Sequence, residues 1–177
     1  LKNFTSNINF IKLNVLDIPD YRLKKILSDK DVIINCIAQT NIKNINFKEL
    51  DNAFQINSLF THKICKLKSK KQKIYHITTD SVFNGIKGNY IETDPHNNSN
   101  SYSLTKSIGE VCEENFFNIR CSIIGYELNS EKFLYNWFIK KKKNSLIYGF
   151  QNHIWNGLTT NVLSKIILTI IQKKIDL

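Results

Sequence analysis

Short runs of apolar, β-branched residues alternate along this chain with longer stretches whose apolar positions recur at helical spacing. The short runs predict strands at 9–15, 32–37, 73–78 and 118–123, each apolar enough to be covered on both faces. The longer stretches predict helices at 21–27, 47–68, 102–114, 131–142 and 159–173. Strands separated by amphipathic helices are the pattern of repeated crossover units on a parallel sheet, so the fold class expected is α/β. Pro19 followed by Asp20 reads as a helix entry, because an Asp carboxylate can accept from the first free backbone N–H groups. The segment 84–101 is rich in Gly, Asn, Asp and Ser, carries Pro95 and shows no period, which predicts a long loop. It follows a strand end and precedes a helix start, the place where α/β sheets hold ligands. No internal repeat or low-complexity linker divides the chain.

Composition narrows the class without changing it. The 177 residues are 42% hydrophobic and 23% charged, ordinary for a globular domain and too apolar for a disordered one. A chain of this length can bury a single stable core. The longest apolar run, 166–171, falls far short of the roughly 20 residues that cross a bilayer, so no membrane partner is expected. Nothing near Leu1 has the pattern of a secretory leader, and the expected location is the cytoplasm. Cys36, Cys65, Cys112 and Cys121 lack CxxC spacing and sit within apolar patterns typical of core positions, which predicts reduced thiols. His62, His76, His96 and His153 are equally dispersed, and no metal is assigned. The formal charge of +10 raises nucleic-acid binding as a function class. Almost all of that charge is lysine, however, with Arg22 and Arg120 the only arginines, and the lysine runs carry no interleaved aromatics. Solvated helix ends are the simpler reading, and no nucleic-acid partner is expected.

The chemistry-bearing feature is Tyr102-Ser-Leu-Thr-Lys106. A Tyr and a Lys four apart on a helix share one face, so the ammonium can sit beside the phenol and lower its pKa toward neutrality. A phenol so placed can act as an acid or base. Upstream, an apolar strand runs into Thr78-Thr79-Asp80-Ser81, where the Thr79 hydroxyl can hydrogen-bond a substrate carbonyl. The alternative is a plain strand-end turn with local side-chain to backbone bonds.

The stretch Ile77-Thr-Thr-Asp-Ser-Val-Phe-Asn-Gly85, then Asp94-Pro95, then Tyr102-x-x-x-Lys106, resembles the core of dTDP-4-dehydrorhamnose reductases, sugar-nucleotide reductases of the extended short-chain dehydrogenase/reductase type. The strand Asp31-Val-Ile-Ile-Asn-Cys-Ile-Ala-Gln-Thr40, the helix segment Ala53-Phe-Gln-Ile-Asn57, Ile119-Arg-Cys-Ser-Ile-Ile-Gly125 and Trp155-Asn-Gly-Leu-Thr-Thr160 fit the same family in the same order. The resemblance implies a Rossmann-like, doubly wound parallel sheet: an incomplete nucleotide-binding domain over 1–125 and part of a substrate-binding portion over 126–177. It implies Thr79, Tyr102 and Lys106 as catalytic residues, and Asp17, Cys36, Ile37, Ala38, Asn57 and Lys106 as contacts of an NADPH or NADH cofactor. It places Thr40, Asp80, Val82, Phe83, Trp155 and Asn156 at a nucleotide-sugar substrate, with Tyr102 passing a proton to a 4-keto oxygen in surface polysaccharide synthesis. Cys36 to Ala38 read equally well as a buried strand, and Asn57 as a satisfied core amide.

Two departures accompany the match. The family begins with a strand and a Gly-x-x-Gly-x-x-Gly turn that seats the cofactor pyrophosphate, whereas the first glycine here is Gly85. Ile123 stands where those reductases place a tryptophan beside the substrate. The resemblance therefore implies a chain missing its first βα unit and some C-terminal sequence, or one completed by a homodimer partner or a complementing chain. A non-catalytic module of the same fold is the second function class.

Overall fold

The computed structural model describes residues 8–40, 46–127 and 133–175. Helix α1 (Asp20–Leu27) leads into strand β1 (Val32–Asn35), and α2 (Phe47–Phe54) and α3 (Phe60–Leu67) precede β2 (Lys73–Thr78). Helix α4 (Ser101–Ile108), β3 (Phe116–Arg120), β4 (Ile123–Ile124), α5 (Leu134–Ile139), β5 (Leu158–Thr159) and α6 (Thr160–Lys173) follow. Strands β1, β2 and β3 form a parallel sheet in that order, with Asn35 level with His76 and Thr78 level with Arg120. Strands β4 and β5 form a separate parallel pair. Each crossover within the three-stranded sheet carries helix, as parallel pairing requires, and the architecture is Rossmann-like and partial.

The core beside the sheet joins Ile18, Leu23 and Leu27 around α1 to Phe60 and Ile64 of α3, Ile74 of β2, and Val111 and Phe116. Burial of these apolar groups is what fixes the helices on the sheet. The entry to α1 is made differently from the expectation: Pro19 is the N-cap and makes no side-chain bond, while the Asp20 carboxylate pairs with Lys63 of α3 at 2.9 Å.

The long helix expected over 47–68 is present, but a π-helical turn at Gln55–Leu59 interrupts it. The helix expected over 102–114 stops at Ile108, and Gly109 beyond it lies against the π turn, where a Cβ would come within 2.0 Å of the Asn57 carbonyl oxygen. The helix expected over 131–142 is observed as α5, and 131–132 lie outside the described residues. The strand expected over 118–123 divides into β3 and β4.

The strand expected over 9–15 is not formed: residues 9–14 are irregular and 15–17 make a turn. Its apolar side chains are right for a strand, but a strand needs a ladder partner, and among the described residues β1 pairs only with β2. Phe10 and Ile11 stay exposed. The thiols also differ from expectation. Cys36 and Cys112 are exposed and Cys65 and Cys121 half-buried, and all four are free. No helix among the described residues is long and apolar enough to cross a membrane.

Candidate active site

The C-terminal tips of β1, β2 and β3 gather the chemistry. β2 ends at Thr78, and the next residue, Thr79, opens a 3₁₀ turn (Asp80–Val82) by accepting from the Ser81 N–H at 3.2 Å. The Thr79 hydroxyl donates to Ser81 Oγ at 3.1 Å, and Ser81 Oγ is 3.1 Å from Ser103 Oγ on α4. The Tyr102 phenol lies near enough to the Thr79 hydroxyl to feel it electrostatically. A hydroxyl network thus ties the tip of β2 to the first turn of α4. Asn100 caps that turn by accepting from the Ser103 N–H at 2.8 Å.

Lys106 lies one turn beyond Tyr102 and is almost fully enclosed, at 1% exposure. Its ammonium donates to the Ile77 carbonyl at 2.9 Å and lies 3.4 Å from His76 Nε2. Loss of hydration lowers the Lys106 pKa to about 8, against the opposing pull of Glu110, Cys121 and Cys36. The same burial, with the Lys106 charge beside it, takes His76 down to about 3.

The Tyr102 phenol behaves against expectation. Burial pushes it up from its ordinary value, the nearby Thr79 hydroxyl pulls it down, and Cys121 and Asp80 push it up further. Lys106 turns to the Ile77 carbonyl and His76, so helical spacing puts the two side chains on one face without setting the ammonium on the phenol. The phenol is therefore held in its proton-bearing form. Burial likewise raises the neighbouring Asp80 carboxyl.

The buried titratable pair makes acid stability a direct readout. An unfolded chain takes up a proton at His76 below about pH 6.5, whereas the folded chain does not until about 3. Unfolded protein then holds more protons, so stability falls as pH drops through that window, by an amount on the order of a few kcal/mol. Lys106 carries the same sign between about 8 and 10.5. Denaturation midpoints measured from pH 7 to pH 4 are expected to fall in the native chain, with a shallower slope in His76→Gln. Equal slopes would remove His76 from the account.

Asn57, fully buried in the π turn, accepts from the Gln39 N–H at 2.8 Å and donates to the Gln39 carbonyl and Thr105 Oγ1, both at 3.0 Å. Ser58 Oγ donates to the Thr105 carbonyl at 2.6 Å. The side chain thus clamps the segment after β1 to α4, an arrangement consistent with the frequent appearance of π turns at functional sites.

The remaining sequence-derived residues are distributed unevenly. Cys36, Ile37 and Ala38 follow the end of β1 and are exposed, not a buried strand, and Thr40 is exposed beside them. Asp17 sits in an exposed turn, where its carboxylate accepts from Asn14 Nδ2. Val82 is in the core at 1% exposure, and its carbonyl accepts from the Asn97 and Asn98 N–H groups at 3.1 Å. Phe83 stacks on Tyr90 at 4.4 Å under the Arg120 guanidinium, 5.6 Å from its ring centre. Arg120 in turn binds Glu110 at 2.7 Å and the Glu92 carbonyl at 2.9 Å. Val82 and Phe83 therefore anchor the 84–100 loop. Trp155 and Asn156 are exposed, and the Trp155 ring covers Gly157, where a Cβ would meet it at 2.0 Å. They stand beside the β4–β5 pair, and no hydrogen bond joins them to Thr79, Tyr102 or Lys106. A shallow concavity lined by Glu110, Glu113, Phe116, Asn118 and Arg120 opens elsewhere, without the three catalytic candidates.

Sequence reasoning passed over His76, Asn35, Ser81 and Ser103. The available signal was a polar His76 two positions before Thr78, on the same face of an otherwise apolar strand. Among the described residues no three His, Cys, Asp or Glu side chains cluster so as to hold a metal ion.

A family model described as the RmlD substrate binding domain matches residues 5–176. The chain belongs to that family. The chain is 32% identical to a hypothetical dTDP-4-dehydrorhamnose reductase from Sulfolobus tokodaii, over 70% of this chain and 47% of that one, with a TM-score of 0.59. A dTDP-4-dehydrorhamnose reductase from Clostridium acetobutylicum superposes over 96% of this chain and 63% of its own length, with 23% identity and a TM-score of 0.70. UDP-glucuronic acid 4-epimerase from Bacillus cereus, in complex with UDP-glucuronic acid and NAD, shares the fold at 22% identity and a TM-score of 0.60, over 70% of this chain and 42% of that one. The chain thus spans less than two thirds of the length of these three solved structures. Among curated proteins, none matches.

Proposed function

We propose that this chain carries the proton-delivering part of an NADPH- or NADH-dependent reductase acting on a nucleotide-linked 4-keto sugar, in the synthesis of surface polysaccharide. The observation that carries the reading is the nearness of the Thr79 hydroxyl and the Tyr102 phenol at the tip of β2, with a buried Lys106 one helical turn away. A ketone oxygen seated between Thr79 and Tyr102 accepts from two hydroxyl groups at once, which polarises the carbonyl. Because burial keeps the phenol protonated, Tyr102 is set to give its proton to that oxygen as the alcohol forms. For this the Thr79 hydroxyl turns from Ser81 Oγ to the ketone, and Ser81, itself within hydrogen-bond distance of Ser103, donates to Thr79 in exchange.

A reduced nicotinamide, when bound, supplies the hydride. The residues fit one end of such a cofactor. Ile37 and Ala38 present exposed backbone at the strand tips, the Lys106 ammonium has a third N–H to direct at a ribose hydroxyl, and Thr78 Oγ1 is buried without a hydrogen-bond partner. Among the described residues the pyrophosphate end has no such cradle. Gly85 and Gly88 lie at positive φ in the loop after β2 with no atom near their missing Cβ positions, and neither opens a helix. That end would be held by residues other than those described, in this polypeptide or in a homodimeric or complementing partner. The similarity of the relatives named above as dTDP-4-dehydrorhamnose reductases supports the substrate class.

Incubating the full-length protein with a reduced nicotinamide and a nucleotide-linked 4-keto sugar tests the reading. Loss of the reduced nicotinamide's absorbance that requires both reagents is the expected result. Absence of turnover with either NADPH or NADH across such sugars would overturn it and favour a non-catalytic binding module.

A further inference from the structure

The contacts behind Lys106 contain one proton too many. Asn35 lies at the end of β1 and is buried, as is His76 opposite it in the ladder. Asn35 Oδ1 accepts from the Ile37 N–H at 3.2 Å, which fixes the amide with its Nδ2 toward His76 Nδ1, 3.0 Å away. Nδ2 can only donate, so Nδ1 must accept. The neutral imidazole then carries its hydrogen on Nε2, aimed at Lys106 Nζ 3.4 Å away. An ammonium has no lone pair to receive it, whereas a neutral amine does, and still donates to the Ile77 carbonyl at 2.9 Å. Every joint from the Ile37 N–H to the Ile77 carbonyl is satisfied only when Lys106 is uncharged.

We propose that Asn35 and His76 form a hydrogen-bonded wire that couples the protonation of Lys106 to the backbone amide of Ile37, making His76 a positioning residue for the proton-transfer site. Charging Lys106 forces the imidazole into its other tautomer and turns the Asn35 amide over. The Ile37 N–H then loses its acceptor. That N–H belongs to the exposed segment after β1, so a ligand that accepts from it offsets the loss and lets Lys106 take up its proton. Binding at the strand tips and the charge on Lys106 thereby favour one another, as linkage requires. The consequence for turnover rests on the reductase reading above; the wire itself does not. The other groups acting on Lys106 are Glu110 after α4, Cys121 after β3 and Cys36 after β1, all of which favour its charged form.

The test is a nitrogen-15 NMR measurement on the full-length protein with labelled histidine, joined to a carbon-13 titration of the lysine ε-carbons. Above the Lys106 midpoint, the His76 ring is expected in the Nε2–H tautomer; the Nδ1–H tautomer overturns the wire with no variant required. His76→Gln, whose amide can turn its oxygen to an ammonium, is expected to raise the Lys106 midpoint by roughly one unit. Asn35→Ala, which adds no charge, is expected to shift it in the same direction by freeing the other imidazole tautomer. A midpoint unmoved in folded variants contradicts the proposal. Loss of turnover plays no part in these readouts, so a failure of the wire and a failure of the reductase reading are told apart.

Discussion

Replacing Tyr102 by phenylalanine is expected to lower turnover of the full-length protein by about 10²- to 10⁴-fold, the range that removal of a positioned acid or base produces. The substitution deletes one oxygen and leaves the ring, so the α4 packing and the Asn100 cap persist. The loss should therefore appear in kcat, with thermal stability close to that of the native chain. Thr79 keeps its bond to Ser81 in the variant. A Tyr102→Phe protein with native kcat would show that protons reach the substrate from elsewhere.

Gly109→Val carries the largest expected cost in stability. Gly109 has an ordinary helical φ of -76, so its constraint is space and not backbone conformation. A Cβ there would stand 2.0 Å from the Asn57 carbonyl oxygen and 3.0 Å from its carbon, backbone atoms that cannot swing aside. Relief requires α4 to move away from the π turn. That motion pulls on the Ser58 to Thr105 bond at 2.6 Å and the Asn57 to Thr105 bond at 3.0 Å, both buried. Overpacking with loss of such bonds costs about 3 kcal/mol or more. Equilibrium denaturation should show a midpoint far below the native one, with activity falling as α4 shifts. A native midpoint would mean that the contact between α4 and the π turn is looser than these distances state.

The α/β class was legible because the parallel strands are short, apolar and β-branched, and because the intervening helices keep their period. What a local pattern does not carry is the identity of a partner. The apolar run 9–15 has the composition of a strand yet forms none, since pairing depends on a neighbour that the described residues do not provide. Equally invisible was the close approach of Gly109, just past the end of α4, to a residue 52 positions earlier. At the site, spacing raised Tyr102, Lys106 and the Thr79 tip of β2 as candidates, and the resemblance gave them their expected roles. Spacing misjudged their electrostatics: sequence distance brought the ammonium to the phenol, whereas the fold directs it to Ile77 and His76 and buries the phenol. Desolvation depends on the packed environment, and no pentapeptide encodes it. The residues behind the site, Asn35 and His76, escaped notice because they lie in strands and meet only through the register of β1 with β2.

The central claim is that Thr79 and Tyr102 act on one carbonyl oxygen as a unit. Its most direct test is a double-mutant cycle, with kcat measured in the full-length protein for Thr79→Val, Tyr102→Phe and the pair. Cooperating groups lose far less together than the product of their separate losses. The expected result is a double variant about as slow as Tyr102→Phe alone, and a double variant slowed by the full product of the two single effects would contradict it.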